Sequence, residues 1–171
     1  GMLLSKGHHF LCMLTTGRPN AGEKLTELGF RNACRAHRSE AVELEIVSHN
    51  GSLDGLCRSL ARLLDVKGAP TGFLVSGPHE TLTLISWMAQ RNLRMGVDYA
   101  LISRSDDTFL SHLTPTVPCY RRDHKKFSVA LTRLIQRISS EPNIPPTSVK
   151  VLPEFKPGKA LMPVSGKYRQ G

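Results

Sequence analysis

Two hydrophobic patterns alternate along the chain, and each predicts a different type of element. Short runs of consecutive apolar residues are typical of strands buried on both faces of a parallel sheet, and we predict such strands at residues 9–14, 42–47, 72–76 and 99–103. Between the runs, apolar residues recur every three or four positions, as in amphipathic helices. Strands that alternate with helices predict an α/β fold, a three-layer α/β/α sandwich with a mostly parallel sheet.

The helical pattern is clearest where leucines form one stripe. We predict that this stripe faces the sheet, and its members are Leu53, Leu56, Cys57, Leu60 and Leu64. A second stripe, widened by Leu84 and Met88, is formed by Leu82, Ile85 and Ala89. Trp87 lies off it, which favours either a contact with another part of the protein or an ordinary half-buried tryptophan.

A weaker helical period follows the first strand. It consists of Leu25, Leu28, Asn32 and Ala33, and Gly29 inside it predicts a close packing contact. A last helix, begun by Asp123, carries apolar residues on one face from Phe127 to Ile138. The proline-containing end holds at most one short strand, at residues 148–152.

Composition limits the class of protein. The 171 residues are 40% apolar and 22% charged, which is ordinary for one soluble globular domain. No apolar run approaches the roughly 18 residues of a membrane span, and the start lacks a secretion signal, so we expect a cytoplasmic protein without membrane contact. Gly1 before Met2 is typical of a tag-cleavage scar.

Charge and cysteines indicate neither nucleic-acid binding by this chain nor a metal site. The net charge of +9 is spread over the surface, without interleaved aromatic residues. The cysteines, which form no CxxC pair, are expected to be reduced core thiols; they are Cys12, Cys34, Cys57 and Cys119.

Catalytic motifs are also lacking in the sequence. There is no GxGxxG or GxxxxGK[ST] for nucleotide phosphates and no GxSxG elbow. Asp106 and Asp107 are adjacent, so on an extended segment their side chains point apart, which is poor geometry for an acid/base pair. We expect a protein that is not an enzyme and has no cofactor.

The segment 69–107 is one strand–helix–strand unit, and it indicates where a ligand would bind. In parallel sheets, ligands gather where strands end and helices begin, here at residues 76–80 and 104–108. His79, in the first turn of the helix, is either a hydrogen-bond donor to an anionic or hydroxyl-rich ligand or a surface histidine. Ser105 and Asp106 either accept hydrogen bonds from sugar hydroxyls or shape an Asx-turn.

Several segments resemble one family in order and spacing. They are KGHHFLCMLTTGRP, LTELGFRNA, APTGFLVSGPHE, NLRMGVDYALISRSDD and HLTPTVPCYRRD, and together they resemble the C-terminal part of the effector-binding region of LacI/GalR-type transcriptional regulators. The resemblance implies a subdomain of the periplasmic-binding-protein type that binds a small sugar-like effector. It also implies a homodimer that binds DNA through a helix-turn-helix, which we expect outside this sequence.

The same resemblance implies a domain division. Residues 1–3 are the scar and N-terminal end, 4–153 are the effector-binding subdomain, and 154–171 are a basic tail. Helix 123–138 is similar to the family helix that packs on an N-terminal effector subdomain, also expected outside this sequence.

The family's ligand positions can be carried over one by one. Thr26 stands at the position of a sugar-binding arginine, Gly77 follows the third strand in place of an asparagine, and Ser105 replaces an aspartate. Asp106 retains the second aspartate of that pair. Asn50, next to a position where some members place an aromatic residue, is either a ligand contact or a helix cap. With His79, these are the candidate ligand-binding residues.

Other functions remain open at this point. The principal alternative is a sugar-binding protein of a transport system. A phospho-acceptor signalling domain would need acidic residues after the first strands, and the chain has Thr15, Thr16 and Ser48 there.

Overall fold

Six strands form one sheet in the described part of the chain. The computed structural model describes residues 1–17, 20–37, 41–65, 68–141, 145, 147 and 149–163. The strands are β1 (Phe10–Thr16), β2 (Glu43–His49), β3 (Gly72–Val75), β4 (Ala100–Ser103), β5 (Cys119–Arg121) and β6 (Glu154–Lys156). The four strands predicted from apolar runs are therefore confirmed, with ends that differ by up to two residues.

The sheet is parallel except at one edge. Its strand order is β2-β1-β3-β4-β5-β6, in which β1 to β5 run parallel and β6 runs antiparallel to β5. Leu14 of β1 lies opposite Val47 on one side and Val75 on the other. The mostly parallel sheet that the sequence predicts is confirmed.

Helices cover both faces of the sheet. They are α1 (Met2–Ser5), α2 (Ala21–Arg35), α3 (Leu53–Leu64), α4 (Pro78–Ala89) and α5 (His124–Ser140), and a 3₁₀ turn spans Thr108–His112. Side-chain caps begin three of the helices, from Asn20, Ser52 and Asp123. Helices α3 and α4 pack in one hydrophobic cluster with the sheet, whereas α1 and α2 contribute to a second cluster that includes Leu11 and Leu74. The three-layer α/β/α architecture is thus confirmed.

The α3–α4 face carries the denser core. Its buried helix residues are Leu56, Leu60, Leu63, Leu84, Trp87 and Met88. The predicted stripes are wrong in part, because Leu53 and Leu82 are exposed. Trp87, only 7% exposed, is a core residue, and Arg91 lies 3.4 Å above its ring. In α4 the buried face is rotated around the helix axis relative to the predicted one, so that it includes Trp87 and leaves Leu82 exposed.

Helix α2 lies differently on the opposite face. Leu25 and Leu28, which the sequence placed on its buried stripe, are both exposed, and Cys34 is its only buried residue in the described chain. The predicted close contact at Gly29 is also wrong, since a Cβ there would meet no atom within 4 Å. Gly29 instead lies beside open space.

The chain end adds to the sheet later than predicted. Residues 149–152 form no strand, and residue 148 lies outside the described residues; the edge strand is β6, at Glu154–Lys156. Phe155 packs edge-on against Tyr120 with ring centroids 5.3 Å apart, and Ala160 is fully buried. Tyr120 lies opposite Phe155 in the antiparallel pair, so this aromatic contact joins β6 to β5.

Helix α5, whose residues are all described, has no buried residue. Its exposed apolar side chains are Phe127, Val129, Leu131, Ile135 and Ile138. Among the described helices, none has both the length and the hydropathy needed to cross a bilayer. The four cysteines are free thiols, as predicted, and all but the partly buried Cys57 are buried.

Candidate functional site

The loops that follow β3 and β4 meet at one edge of the sheet, as the sequence predicts. The backbone N–H of Arg104 donates to the carbonyl of Val75 at 2.8 Å, and the Ser105 hydroxyl donates to the carbonyl of Ser76 at 3.1 Å. Because β1 to β5 are parallel, all their carboxyl ends lie along this same edge. The edge is therefore the natural position for a ligand site.

A cavity of about 730 Å³ extends from this edge between α2 and the sheet, and we call it the α2 cavity. Its volume lies within the range of small-molecule sites. Its apolar floor includes Leu3, Leu4, Leu11, Phe30, Leu74 and Ile102. The polar residues of its lining include Glu23, Thr26, Ser76, Arg104, Ser105 and Arg122.

The structure brings together two of the six candidate residues in this lining. The Thr26 hydroxyl donates to the carbonyl of Gly22 at 2.8 Å, so its oxygen can still accept a hydrogen bond from a ligand. Ser105 joins the two loops through its bond to Ser76, and its own carbonyl accepts from Ser103 Oγ at 2.7 Å. These bonds hold the loop after β4 in place.

Two polar groups of the lining lack a protein partner. Ser76 is 6% exposed, and its buried Oγ has no hydrogen-bond partner among the described residues. The same holds for Nη1 of Arg104. Burial lowers the pKa of the Arg104 guanidinium, as does the nearby charge of Arg122, while the Glu23 carboxylate raises it. Buried donors and acceptors without partners are costly, so these groups point to a ligand.

The start of α4 is less open to a ligand than the sequence indicated. Gly77 is the N-cap, and the Glu80 side chain lies directly against it. The Glu80 carboxylate lies 3.3 Å from Nε2 of the buried His49. A negative charge already present at this helix N-terminus disfavours an anionic ligand there. Gly77 and His79 do not line the α2 cavity, and His79 is exposed.

The other two candidates also lie outside the cavity. The Asn50 side chain accepts hydrogen bonds from the N–H (3.1 Å) and hydroxyl (2.7 Å) of Ser52, which itself caps α3. Asn50 thus shapes the turn before the helix. Asp106 is exposed, and the neighbouring Asp107 accepts from the N–H of Phe109 at 3.3 Å, which is the Asx-type role considered for this loop.

Two polar residues of the cavity, Ser76 and Arg104, lie in the predicted ligand loops 76–80 and 104–108 but were not named as ligand-binding residues, and two others, Glu23 and Arg122, were not predicted. Arg104 follows a buried strand directly, which was a usable signal for a residue at the ligand edge. The sequence gives no sign that Arg122 belongs to the site, and only the position of β5 reveals that it lines the cavity.

Comparison with protein families gives one match over most of the chain. A family model described as a periplasmic binding protein-like domain matches residues 1–160. No curated protein matches the chain.

Solved structures share this fold at low sequence identity. A LacI family transcriptional regulator from Bifidobacterium animalis subsp. lactis aligns with a TM-score of 0.82 and 13% identity, over 96% of this chain and 59% of that one. A LacI family regulator from Enterococcus faecium with bound ribose aligns with a TM-score of 0.79 and 17% identity, over 95% and 60%. The dimeric Lac repressor with an 11-residue C-terminal deletion aligns with a TM-score of 0.78 and 15% identity, over 95% and 59%.

The chain therefore spans about three fifths of the length of these structures. At these identities the likeness shows the fold alone. The resemblance to LacI/GalR-type regulators inferred from the sequence is confirmed at the level of domain family and fold.

Proposed function

The chain belongs to the family of periplasmic binding protein-like domains, and from this we propose that it is the ligand-sensing subdomain of a LacI-type transcriptional regulator. In this proposal a small sugar-like effector binds in a cleft between two subdomains and changes the affinity for an operator. The regulator acts in the cytoplasm as a homodimer and contacts DNA through a helix-turn-helix outside this sequence.

The observation that supports effector binding most directly is the α2 cavity at the carboxyl edge of the sheet. Hydroxyls of Thr26 and Ser76 line it, and the Ser76 hydroxyl is buried without a partner among the described residues. Sugars present many hydroxyls that both donate and accept, so short polar side chains at such an edge are suited to them. A bound ribose in a regulator of the same fold is consistent with this proposal.

Helix α5 supports the two-subdomain mechanism. Phe127, Leu131, Ile135 and Ile138 recur at helical spacing and are all exposed. An exposed apolar face of this size is typical of a surface that another part of a protein covers. We infer that a second subdomain packs on α5 and supplies the other wall of the cleft.

The mechanism requires differential affinity. A ligand that contacts both subdomains stabilises their closed arrangement, and only its preference for that arrangement can shift the regulator between states. The 171-residue chain supplies one wall, so we expect it to bind a sugar weakly, because part of the contacts is lacking.

Calorimetry and thermal shift with D-ribose test effector binding. We expect weak binding that S76A reduces by up to about tenfold, the loss expected for one hydrogen bond. H79A is the matched control, since His79 lies outside the α2 cavity, and its binding should equal that of the wild type. Micromolar affinity of this chain for the sugar would contradict a mechanism that needs two walls.

The coding sequence upstream of residue 1 tests the regulatory part. A helix-turn-helix followed by an N-terminal effector subdomain would support a regulator. A secretion signal there would instead support a sugar-binding protein of a transport system.

A further inference from the structure

We propose that the effector carries an anionic group, a carboxylate or a phosphate, and that Arg104 and Arg122 hold this group at the mouth of the α2 cavity. The inference rests on the proposed function, which it makes more specific. It narrows the effector from a neutral sugar to a sugar acid or sugar phosphate.

Arg104 is the central residue. It follows β4 directly, and its backbone N–H is fixed by the carbonyl of Val75 at 2.8 Å. Its side chain is partly buried in the cavity lining, and Nη1 is buried without a hydrogen-bond partner among the described residues. A guanidinium withdrawn from water is stabilised by an anion that accepts its hydrogen bonds, and its planar fork matches carboxylate and phosphate oxygens.

Ser76 supplies a second donor in the same lining. Its hydroxyl is buried and has no hydrogen-bond partner in the described part of the chain, while its carbonyl accepts the hydrogen bond of Ser105. Because that bond joins the loops after β3 and β4, the Ser76 and Arg104 donors are held in a fixed arrangement. An anion with two or three oxygens can accept from both of them.

Arg122 supplies the second positive charge. It follows β5, the strand next to β4, and lines the same cavity. The structure gives it no hydrogen bond or ion pair within the described residues, and it is exposed, so an ion in solution can reach it. Its neighbour Arg121 contrasts with it, because Arg121 pairs with Glu154 at 3.2 Å.

One carboxylate competes for the same arginines. Glu23 lines the cavity and acts electrostatically on Arg104, but one of its oxygens accepts the backbone N–H of Asn20 at 2.8 Å in a capping box. Two cations and one anion leave a net positive charge in the lining. The pKa of Arg104 is lowered mainly by burial; the charge of Glu23 raises it, and the charge of Arg122 lowers it.

The apolar residues of the cavity strengthen the electrostatic attraction between the arginines and an anionic group. Leu74 and Ile102 line the same cavity and are both buried, so part of its wall is apolar. Charges attract more strongly in such surroundings than at an open surface.

Titration of the whole chain with inorganic phosphate, followed by NMR of the arginine Nε–Hε signals, tests the proposal. Chloride keeps the ionic strength constant, and acetate in a parallel titration distinguishes carboxylate from phosphate. We expect the Arg104 and Arg122 signals to move and the Arg121 signal to stay. R104Q or R122Q should weaken the anion affinity by about tenfold or more, since a charge-assisted bond is lost, and R121Q should change it less than about twofold.

Several results would overturn the anion site. One is that the signals of Arg104 and Arg122 do not respond to phosphate or acetate. Another is that R121Q and R122Q weaken the anion affinity equally, which would indicate attraction by the overall positive charge and not by a specific site. Arg122 is exposed, so R122Q should fold, and R104K shows whether charge alone suffices at the buried position.

Titration with a neutral sugar distinguishes a failure of the anion site from a failure of the proposed sugar sensing. D-ribose binding at Thr26 without any anion response would overturn the anion site and leave sugar sensing intact. Phosphate binding at Arg104 with no gain of ribose 5-phosphate over phosphate would support the anion site and contradict sugar sensing.

Discussion

The two faces of the sheet are built differently. On the α3–α4 face, leucines and Trp87 fill the space against the sheet, and Leu60 and Leu84 are fully buried. On the α2 face, a cavity of about 730 Å³ separates the helix from Leu11, Leu74 and Ile102.

The difference indicates a division of roles. Close packing on the α3–α4 face stabilises the fold, since each buried methylene removed from such a core is costly. The α2 face gives up this packing, and its cavity is lined by Ser76 and Arg104, whose buried Oγ and Nη1 have no hydrogen-bond partner among the described residues. A region that forgoes packing and retains unpaired polar groups is typical of a binding site.

Truncation of a core leucine should give the largest effect. Leu60 is fully buried in the α3–α4 core, so L60A is expected to lower the free energy of unfolding by about 2–5 kcal/mol. Urea denaturation measures it. L28A on α2 is the matched control: Leu28 is 53% exposed, and its effect should stay within about 0.5 kcal/mol. Equal losses in the two variants would contradict the contrast between the faces.

A methyl group added at the floor of the α2 face should also destabilise. In G72A, the Cβ would lie 2.6 Å from Leu11 Cδ2 and 3.1 Å from His8 Cβ. We expect a loss of about 1 kcal/mol by urea denaturation, the low end for overpacked cores, because Leu11 Cδ2 is the end of a side chain that lines the α2 cavity and can move. A loss of more than about 3 kcal/mol would show that Leu11 has no room to move and would contradict a cavity beside it.

A methyl group added to α2, the helix above the cavity, should stabilise the folded protein. A Cβ on Gly29 meets no atom within 4 Å, and alanine favours the helix over glycine. G29A should therefore gain about 0.5–1 kcal/mol in the free energy of unfolding, seen as a higher Tm. A loss of stability would instead indicate that α2 packs closely on the sheet.

The pH dependence of stability should reveal the histidine at the opposite edge of the sheet. His8 Nε2 donates to the carbonyl of Met162, and Nδ1 accepts from the Thr71 hydroxyl, both at 3.0 Å. Burial lowers the pKa of His8 below its ordinary 6.5, so the unfolded chain binds the proton more readily. The contribution of neutral His8 to the free energy of unfolding is therefore fully present above pH 6.5, and it is lost as the pH falls below this value.

Comparison of wild type and H8Q by thermal unfolding across this range isolates the effect. The Tm difference between the two should shrink as the pH falls, because only the wild type carries the additional proton-linked loss. A difference that is independent of pH would contradict the lowered pKa.

The sequence predicts the strands and α3 well for physical reasons. A run such as Phe73, Leu74 and Val75 is buried on both faces, so its composition alone identifies it. Ser52 accepts from the N–H of Gly55 and begins α3 where its leucine pattern begins. Local signals and packing agree in these elements.

The sequence is less informative where local signals and packing disagree. Helix α2 turns glycines and Thr26 toward the cavity, so its leucines no longer mark the buried face. Thr26 and Ser105 were found through the family resemblance. Ser76 and Arg104 lie in the predicted ligand loops, but their lack of hydrogen-bond partners among the described residues could not be predicted, because it depends on neighbours distant along the chain. The nature of the effector stays a prediction.

The most direct test of ligand binding at the carboxyl edge is amide chemical-shift mapping of this chain with D-ribose 5-phosphate. The account predicts shifts at residues 22–26, 76–77 and 104–106, with the amides of α3 unchanged. Shifts confined to α3, or to the opposite edge near Gly7, Thr71 and Gly96, would contradict it.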